Sequence, residues 1–301
     1  MTPSDETRRY IFSPSPQRTH MTAEPSILLT NDDGIDAVGI RAVYDELSDI
    51  ADITVVAPAS DQSAVGRKLS NDVTVSEHEI GYAVEGTPAD CVIAGLEVLT
   101  PEVDMVVAGC NKGANIGAYV LGRSGTVSAA VESAFFDVPA IAVSMYIPGD
   151  GDLPWHEQAS SPSAFAEATR ATRFLIDTAF DAGVFEQAEY LNLNAPSVSA
   201  TDGAAPIEIT RPSMFHDMGA EPSGDSRVTI HDRVWERMRA GDIPDPQGTD
   251  RRAVVNGSIS VSPLTAPHST EHHESLDALA AAYPPSNLNS NSNSNSNPNP
   301  N

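Results

Sequence analysis

The 301-residue sequence predicts an α/β protein built on a mostly parallel sheet. Short apolar runs alternate with stretches of helical periodicity as far as Pro196, which is typical of strands joined by crossover helices. Three of the apolar runs end in loops rich in Asp, Asn, Ser and Gly. Because the carboxyl ends of parallel strands meet at one edge of a sheet, we expect these loops to form a common ligand crevice.

The first strand–helix–strand unit occupies residues 27–57. The apolar run at residues 27–29 indicates a buried strand, and apolar residues recur at nearly helical spacing over residues 38–47. A β-branched run at residues 53–57 is ended by Pro58. This order predicts two parallel strands joined by a right-handed crossover.

The remaining elements follow the same pattern up to residue 193. The sequence predicts strands at residues 73–75, 82–84, 105–108, 140–143 and 190–193, and helices at residues 88–98, 127–136 and 165–180. Later candidate strands at residues 207–209, 228–230 and 258–261 lie among Pro, Gly and Asp. We therefore expect a smaller, extended β-containing region after about residue 200, of a kind that often pairs with another subunit.

The charge balance excludes some classes of partner. With 42 acidic and 17 basic residues, the formal net charge is -25. Nucleic-acid phosphates and anionic membranes attract Lys and Arg, so neither is an expected partner. Concentrated salt would screen this self-repulsion, which predicts a salt-adapted cytosol.

The sequence also predicts a cytoplasmic protein. No apolar stretch is long enough to span a bilayer, and the first twenty residues lack the apolar core of a secretory signal. Cys91 and Cys110 lie in apolar surroundings, as thiols of a reducing compartment do. Trp155 and Trp235 are interpreted as packing residues rather than base-stacking platforms.

Asp32 and Asp33 form an acidic pair directly after the first strand. Alone, Asp-Asp-Gly in so acidic a chain would be interpreted as a surface turn. In a crevice, however, two adjacent carboxylates remain ionised together most readily with a cation between them. Ser63 and Asn111 follow two other strands, and the four side chains offer only oxygen ligands that suit Mg²⁺, Mn²⁺ or Ca²⁺.

The loop at residues 109–125 is rich in glycine and leads into a helix. Glycines allow close approach of a ligand, and a helix opening with Ser124, Gly125 and Thr126 presents amide donors and hydroxyls to an anion. Together with Asn115, these residues are the candidate phosphate-binding set. An ordinary surface loop is the alternative for the loop taken alone, but its place beside a predicted metal site favours metal-assisted phosphoryl hydrolysis.

Several runs of the sequence resemble the SurE family of survival-protein nucleotidases. They are residues 30–35 (TNDDGI), 56–58 (VAP) with Ser63, 86–92 (GTPADCV), 109–117, 124–127 (SGTV), 192–196 (NLNAP), and 249–250 followed by 257–264. The resemblance covers roughly residues 26–265 and leaves out both termini.

The resemblance implies a Rossmann-like three-layer α/β/α domain with a protruding C-terminal β-containing arm exchanged between subunits. It implies divalent-metal-dependent hydrolysis of nucleoside 5′- and 3′-monophosphates, with polyphosphate as a further substrate of some members. The family's metal ligands fall on Asp32, Asp33, Ser63 and Asn111. We expect one Mg²⁺ or Mn²⁺ per subunit, with Asp32 and Asp33 catalytic and Asp32 acting on the attacking water.

The expected organisation has four parts. A disordered extension covers residues 1–25 and the catalytic domain covers residues 26–200. An oligomerisation arm with a C-terminal helix covers residues 201–285, and a disordered Asn-, Ser- and Pro-rich tail covers residues 286–301. The arm predicts a homodimer or homotetramer.

Three features depart from the family pattern. Lys112 and Arg123 add positive charge near the phosphate segment, and the loop at residues 64–68 differs from the usual small polar run. Two alternatives remain: a receiver-like signalling domain, which would need an acceptor Asp after a central strand, and a non-catalytic phosphate- or nucleotide-binding module.

Overall fold

The structure is a computed structural model that describes residues 24–100, 102–148, 159–197, 204–266 and 268. The described residues up to Ala266 belong to one compact unit. Most of the predicted N-terminal extension, the expected C-terminal helix and the Asn-rich tail lie outside the described residues, as does Trp155.

Eleven strands form two sheets in the described part of the chain. They are β1 (Ser26–Thr30), β2 (Asp52–Pro58), β3 (Val75–His78), β4 (Gly81–Val84), β5 (Met105–Lys112), β6 (Ala140–Tyr146), β7 (Tyr190–Pro196), β8 (Ile207–Ile209), β9 (Met218–Pro222), β10 (Val228–Asp232) and β11 (Ile259–Leu264). The main sheet has nine strands in the order β3-β4-β2-β1-β5-β6-β7-β11-β8, and β9 and β10 pair separately as an antiparallel hairpin. Pairing is parallel from β4 through β7, while β3 and β11 run antiparallel to their neighbours β4 and β7.

Seven α-helices accompany these strands within the described residues. They are α1 (Val38–Leu47), α2 (Pro88–Ala94), α3 (Ala118–Leu121), α4 (Gly125–Phe135), α5 (Ala166–Thr178), α6 (Val234–Ala240) and α7 (Asp250–Val255). α1 and α5 pack on one face of the main sheet, and α2 and α4 pack on the other. The predicted α/β class with three layers and a mostly parallel sheet is therefore confirmed.

Strand β1 shows why the sheet needs helices on both faces. Ile27 and Leu29 contribute to the core under α1 and α5, whereas Leu28, between them, contributes to the core under α2 and α4. All three are completely buried. Since side chains alternate across a strand, a continuous apolar run indicates a strand buried on both sides.

Local signals set where two helices begin. α2 starts after Thr87, whose hydroxyl accepts a hydrogen bond from Asp90 N while the Asp90 carboxylate accepts one from Thr87 N, forming a capping box. The predicted helix at residues 88–98 is α-helical only to Ala94 and continues as a π-helical turn, Gly95–Leu99. α4 begins at Gly125, two residues before the predicted apolar stretch at residues 127–136, with the Ser124 hydroxyl as its cap, as expected for a helix that opens with Ser124, Gly125 and Thr126.

The chain after residue 200 contributes to the main sheet as well as to the hairpin. β11 pairs with β7 and with β8, and its side chains Ser260 and Ser262 are completely buried. Both hydroxyls lie 2.8 Å from that of Thr210, which satisfies them inside the sheet. Of the three predicted late strands, the one at residues 228–230 lies in the hairpin. The predicted domain boundary at residue 200 stays a prediction.

A small third core joins the C-terminal helices to the loop after β5. It contains Ala114, Ile116, Tyr146, Val234, Met238, Ile243 and Val254. This cluster holds α6 over the carboxyl end of the sheet, where the predicted functional loops lie.

Among the described residues, every helix is too short or too polar to cross a bilayer.

Candidate functional site

A cavity of about 770 Å³ lies at the carboxyl end of the parallel strands. The loops after β1, β2, β5 and β6 form most of its wall, and α6 with the end of β10 closes it. All four predicted metal ligands line this cavity: Asp32, Asp33, Ser63 and Asn111. The structure therefore brings together side chains that are up to 79 positions apart along the chain, as Asp33 and Lys112 illustrate.

Asp32 is the most enclosed of the four. Its side chain is only 3 % exposed, and Thr126 Oγ1 donates a 2.6 Å hydrogen bond to its Oδ1. Burial raises the pKa of Asp32 to about 7, the Thr126 hydrogen bond lowers it, and the neighbouring charge of Asp33 raises it further. A carboxylate in this position is costly to ionise unless positive charge lies beside it.

Asp33 is half-buried beside it. The backbone N–H of Lys112 donates a 2.9 Å hydrogen bond to its Oδ2, which ties the loop after β1 to the end of β5. Burial raises the pKa of Asp33, the Lys112 hydrogen bond opposes this, and the charge of Asp61 adds to the increase. The pair thus behaves as two like charges in a poorly solvated site.

Ser63 lies on the exposed side of the cavity in a tight turn with Asp61. Its backbone N and its Oγ donate to Asp61 Oδ1 at 2.7 and 2.5 Å. Asp61 also lines the cavity, and it is a functional candidate that the motif analysis did not single out. Its position two residues before Ser63 in the same loop was the available signal.

Asn111 lies near the end of β5, just beyond a shift in the pairing register with β6. Its Nδ2 donates a 2.6 Å hydrogen bond to Gly113 O. No described residue donates to its Oδ1, so the amide oxygen is the atom that this side chain can offer to a cation.

Asn115 is the centre of a buried polar network. Its Nδ2 donates to Ser144 Oγ at 2.9 Å and to Thr126 Oγ1 at 3.3 Å. Its backbone N donates to Asn194 Oδ1, and its carbonyl accepts from Asn192 Nδ2. The network connects β6 and β7 through Thr126 to Asp32, so Asn115 supports the carboxylate as well as lining the cavity.

The segment of Ser124, Gly125 and Thr126 lies against the acidic pair. The Ser124 hydroxyl accepts from Val127 N at 3.0 Å, and Ser124 lines the cavity. A Cβ on Gly125 would lie 2.7 Å from Asp32 Cβ, so the close approach requires glycine. The Thr126 hydroxyl is directed to Asp32, and phosphate binding by this segment stays a prediction.

Basic side chains offset part of the acidic surroundings. Lys112 and Arg123, which were noted as departures from the family pattern, both line the cavity, and so does Arg239. The Arg123 guanidinium lies 3.9 Å from the centre of the Tyr119 ring, which fixes its orientation. An anionic ligand entering the cavity would meet these three cations.

Part of the cavity lining is apolar. It includes Tyr146, Ile147, Pro148 and Trp235. Sequence analysis did not assign any of them to the site, and Trp235 reaches it only because the third core places α6 there. No local motif signals such a contact between distant segments.

The candidate donor set contains two carboxylates, as many Mg²⁺ sites do. In the described part of the chain, no group of three or more His, Cys, Asp and Glu side chains is arranged to hold a metal ion. The candidate set instead combines two carboxylates with a hydroxyl and an amide. All of these are hard oxygen donors, which suits Mg²⁺ or Mn²⁺ rather than zinc.

Comparison with known proteins gives a consistent family match. The family model described as "Survival protein SurE" matches residues 27–217. The chain is 70% identical over 263 residues to "5′-nucleotidase SurE" of Haloquadratum walsbyi, covering 87% of this chain and 98% of the relative. It is 64% identical over 264 residues to the protein of the same name from Haloarcula marismortui, covering 88% and 97%.

A solved structure has the same fold. The crystal structure of SurE protein from Aquifex aeolicus aligns with a TM-score of 0.69 and 29% sequence identity, covering 85% of this chain and all of that one. Both of these high-identity relatives come from halophilic archaea, which confirms the expectation of a salt-adapted source drawn from the charge balance.

Proposed function

The chain belongs to the SurE family, and on this premise we propose that it is a divalent-metal-dependent nucleotidase acting on nucleoside 5′-monophosphates. That it is a phosphoric monoester hydrolase of the 5′-nucleotidase type follows from its high identity to the curated relatives. The observation that carries the metal-dependent part is the convergence of Asp32, Asp33, Ser63 and Asn111 on one cavity.

The donor set fits a divalent cation. Burial raises the pKa of both Asp32 and Asp33, because a poorly solvated carboxylate is costly to ionise, and the charge of Asp33 raises the pKa of Asp32 further. A cation between them would offset their mutual repulsion. We propose one Mg²⁺ or Mn²⁺ per subunit, held by these carboxylates with Ser63 and Asn111 Oδ1. Such an ion, when bound, lowers the pKa of coordinated water and neutralises charge on a phosphoryl group.

The side chains divide the remaining tasks. Asp32, fixed by Thr126, is placed to orient the attacking water or to take its proton. Ser124 and Gly125 open the eleven-residue helix α4, whose first amides suit phosphate oxygens, and Asn115 lines the same region. Lys112 and Arg123 attract the anionic substrate into a protein of net charge -25.

The two buried thiols have no part in this chemistry. Cys91 and Cys110 are free and buried, and burial raises the pKa of each thiol. Neither is therefore an accessible thiolate nucleophile. Free buried thiols also support our inference of a cytoplasmic location.

The alternatives are disfavoured by particular features. A receiver-like domain needs an acceptor Asp after a central strand, but β5 ends in Asn111 and Lys112. A non-catalytic phosphate-binding module has no need of the enclosed acidic pair. Nucleoside 3′-monophosphates and polyphosphate are further substrates that we propose on the family resemblance.

The test is phosphate release from adenosine 5′-monophosphate by the purified full-length protein in molar KCl. EDTA should abolish release, and added Mg²⁺ or Mn²⁺ should restore it. The same assay with the 3′-monophosphate and with polyphosphate establishes the range of substrates. Unchanged release in EDTA would refute metal dependence, and no release with any metal would refute the nucleotidase.

We also propose that the subunits assemble as a homodimer or homotetramer through the β9–β10 hairpin. Its side chains Val228 and Ile230 are 64% and 71% exposed, and since they are two positions apart on β10 they lie on the same face of the hairpin. Light scattering should give two or four times the subunit mass of 31.8 kDa. A monomer across a range of concentrations would refute the assembly.

A further inference from the structure

Trp235 lines the same cavity as the acidic pair, although its position in the sequence indicated only a packing role. The side chain is half-buried: part of it packs against the third core, and part faces the cavity. Its indole N–H has no hydrogen-bond partner among the described residues. A purely structural tryptophan would more commonly be enclosed with that donor satisfied.

The anchoring of α6 determines which of its side chains reach the cavity. Val234 and Met238, four positions apart, are buried in the third core at 5% and 3% exposure. Trp235 and Arg239, also four positions apart, form the adjacent row of the helix, and both line the cavity. The buried pair thus fixes the helix in an orientation that presents Trp235 to the ligand space.

The lining of the cavity is both polar and apolar. Asp32, Asp33 and Asn111 line it from the ends of β1 and β5, whereas Trp235 lines it from α6, together with Ile147 and Pro148 after β6. A volume of about 770 Å³ is much more than a phosphate group needs, and it matches the range of pockets that hold whole small molecules. A ligand with an anionic end and a flat apolar end would occupy both parts.

We propose that Trp235 is the stacking platform for the nucleobase of the substrate. The proposal rests on the proposed nucleotidase function, since the phosphoryl group has to lie at the acidic pair for the base to reach α6. A base presents apolar faces and polar edges, and aromatic side chains stack on such faces with little regard to base identity. Trp235 therefore favours nucleotides over phosphomonoesters without a base, and it discriminates weakly between bases.

A substrate comparison tests this role by kinetics. Adenosine 5′-monophosphate and ribose 5-phosphate present the same phosphoryl group, and only the first has a base. Trp235→Ala should raise KM for the nucleotide about tenfold and leave kcat/KM for ribose 5-phosphate within about twofold. Trp235→Phe should retain most of the nucleotide preference, since Phe still offers an aromatic face.

The control and the contradicting results are distinct. Phe174→Ala removes an aromatic side chain that lies on α5, away from the cavity, and is 52% exposed. It should leave KM and kcat/KM unchanged for both substrates. If Trp235→Ala lowers kcat/KM equally for both substrates, Trp235 acts only through the fold and the proposal is wrong. The proposal is also wrong if Trp235→Ala changes kcat/KM for neither substrate.

A binding measurement separates this proposal from the hydrolytic function. The chain has two tryptophans, so Trp155→Phe leaves Trp235 as the sole indole emitter. Adenosine should quench its fluorescence saturably, and ribose should not. If adenosine up to millimolar concentration causes no saturable quenching, the stacking role is refuted even in an active enzyme. If the protein shows saturable quenching but does not hydrolyse nucleotides, the stacking site is supported and only the proposed nucleotidase function is refuted.

Discussion

The position of Asp32 depends on two small residues in a different loop. Thr126 donates a hydrogen bond to Asp32 Oδ1, and Gly125, which has no side chain, leaves the space that Asp32 Cβ needs. Asp32, whose pKa is raised, is held in this way between α4 and the end of β1. The geometry of the acidic pair should therefore be sensitive to the start of α4.

Gly125→Ala tests that sensitivity. The new methyl group would lie 2.7 Å from Asp32 Cβ, so Asp32 has to shift. We expect kcat/KM to fall about a hundredfold, since displacement of a catalytic group by about 1 Å can have that effect. Gly122→Ala is the matched control, because a Cβ at Gly122 meets nothing within 4 Å and its φ is -71. Equal activity of the two variants would contradict the account.

The raised pKa of Asp32 predicts a link between pH and cation binding. Its pKa is about 7 in the folded protein, compared with 3.8 for an ordinary aspartate, so the folded state binds this proton more tightly. The resulting stabilisation is complete below about pH 4 and is lost as the pH rises through about 7. Because a cation competes with the proton, added Mn²⁺ should raise Tm more at about pH 8 than at about pH 5.

Thermal unfolding of EDTA-treated protein, with and without Mn²⁺, measures this difference. Asp32→Asn should greatly reduce both the Mn²⁺ effect and its dependence on pH. An increase in Tm of the same size at both pH values would show that the cation does not compete for a proton at this carboxyl.

Sequence alone predicted the residues that belong to local motifs. Asp32, Asp33, Ser63 and Asn111 each lie at the carboxyl end of a strand or in the loop after it, so the order of strands was enough to place them at one edge. Trp235 has no such relation to a strand of the main sheet. Its place in the cavity depends on how Val234 and Met238 pack, which no periodic pattern encodes.

At the scale of elements, Asp250 fastens α7 to the loop after β5. Its carboxylate is completely buried and accepts from the backbone N of Gly117 at 2.7 Å, Ser213 at 2.9 Å and Arg251 at 2.7 Å. Burial raises its pKa, and these bonds oppose the increase. The buried Arg251 side chain, in turn, donates to Asp245 at 2.9 Å. The Gly-rich loop after β5 is thus held in place at Gly117 by Asp250.

Asp250→Asn should therefore reduce stability strongly. An amide has one acceptor oxygen and would direct an N–H₂ group at a backbone donor, so the three bonds cannot all survive. We expect the free energy of unfolding to fall by about 3 kcal/mol, measured by urea denaturation at fixed salt. Asp242→Asn, whose side chain is 85% exposed, is the control and should change it by less than about 0.5 kcal/mol. A loss no greater than that of the control would refute the fastening role.

The core elements and three of the late strands were predictable from their apolar patterns, but β9 and the sheet that each late strand joins were not. Strand β1 and helix α1 have clear apolar periodicity, and both agree with the predicted ranges to within a residue. β11 alternates Ile and Val with buried serines, which resembles an exposed strand. Only the contacts of Ser260 and Ser262 with Thr210 explain how it enters the main sheet.

For the whole molecule, the net charge of -25 predicts dependence on salt. Screening shortens from about 10 Å at 0.1 M to about 3 Å at 1 M, which removes much of the repulsion between distant acidic side chains. Tm should rise as KCl increases from about 0.1 M to about 2 M. Sucrose of equal osmolality is the control for solvent exclusion, and it should give a smaller rise. A Tm independent of KCl would contradict the salt-adapted interpretation.

The central claim is that the acidic pair at the end of β1 performs phosphomonoester hydrolysis. The most direct test is the rate of phosphate release from adenosine 5′-monophosphate by Asp32→Asn with saturating Mn²⁺, compared with the unmodified protein and with Asp36→Asn. Asp36 lies four residues away, and its side chain is 86% exposed. We expect Asp32→Asn to lower kcat by about a hundredfold or more and Asp36→Asn to have little effect. Full activity of Asp32→Asn would contradict the proposed role of the acidic pair.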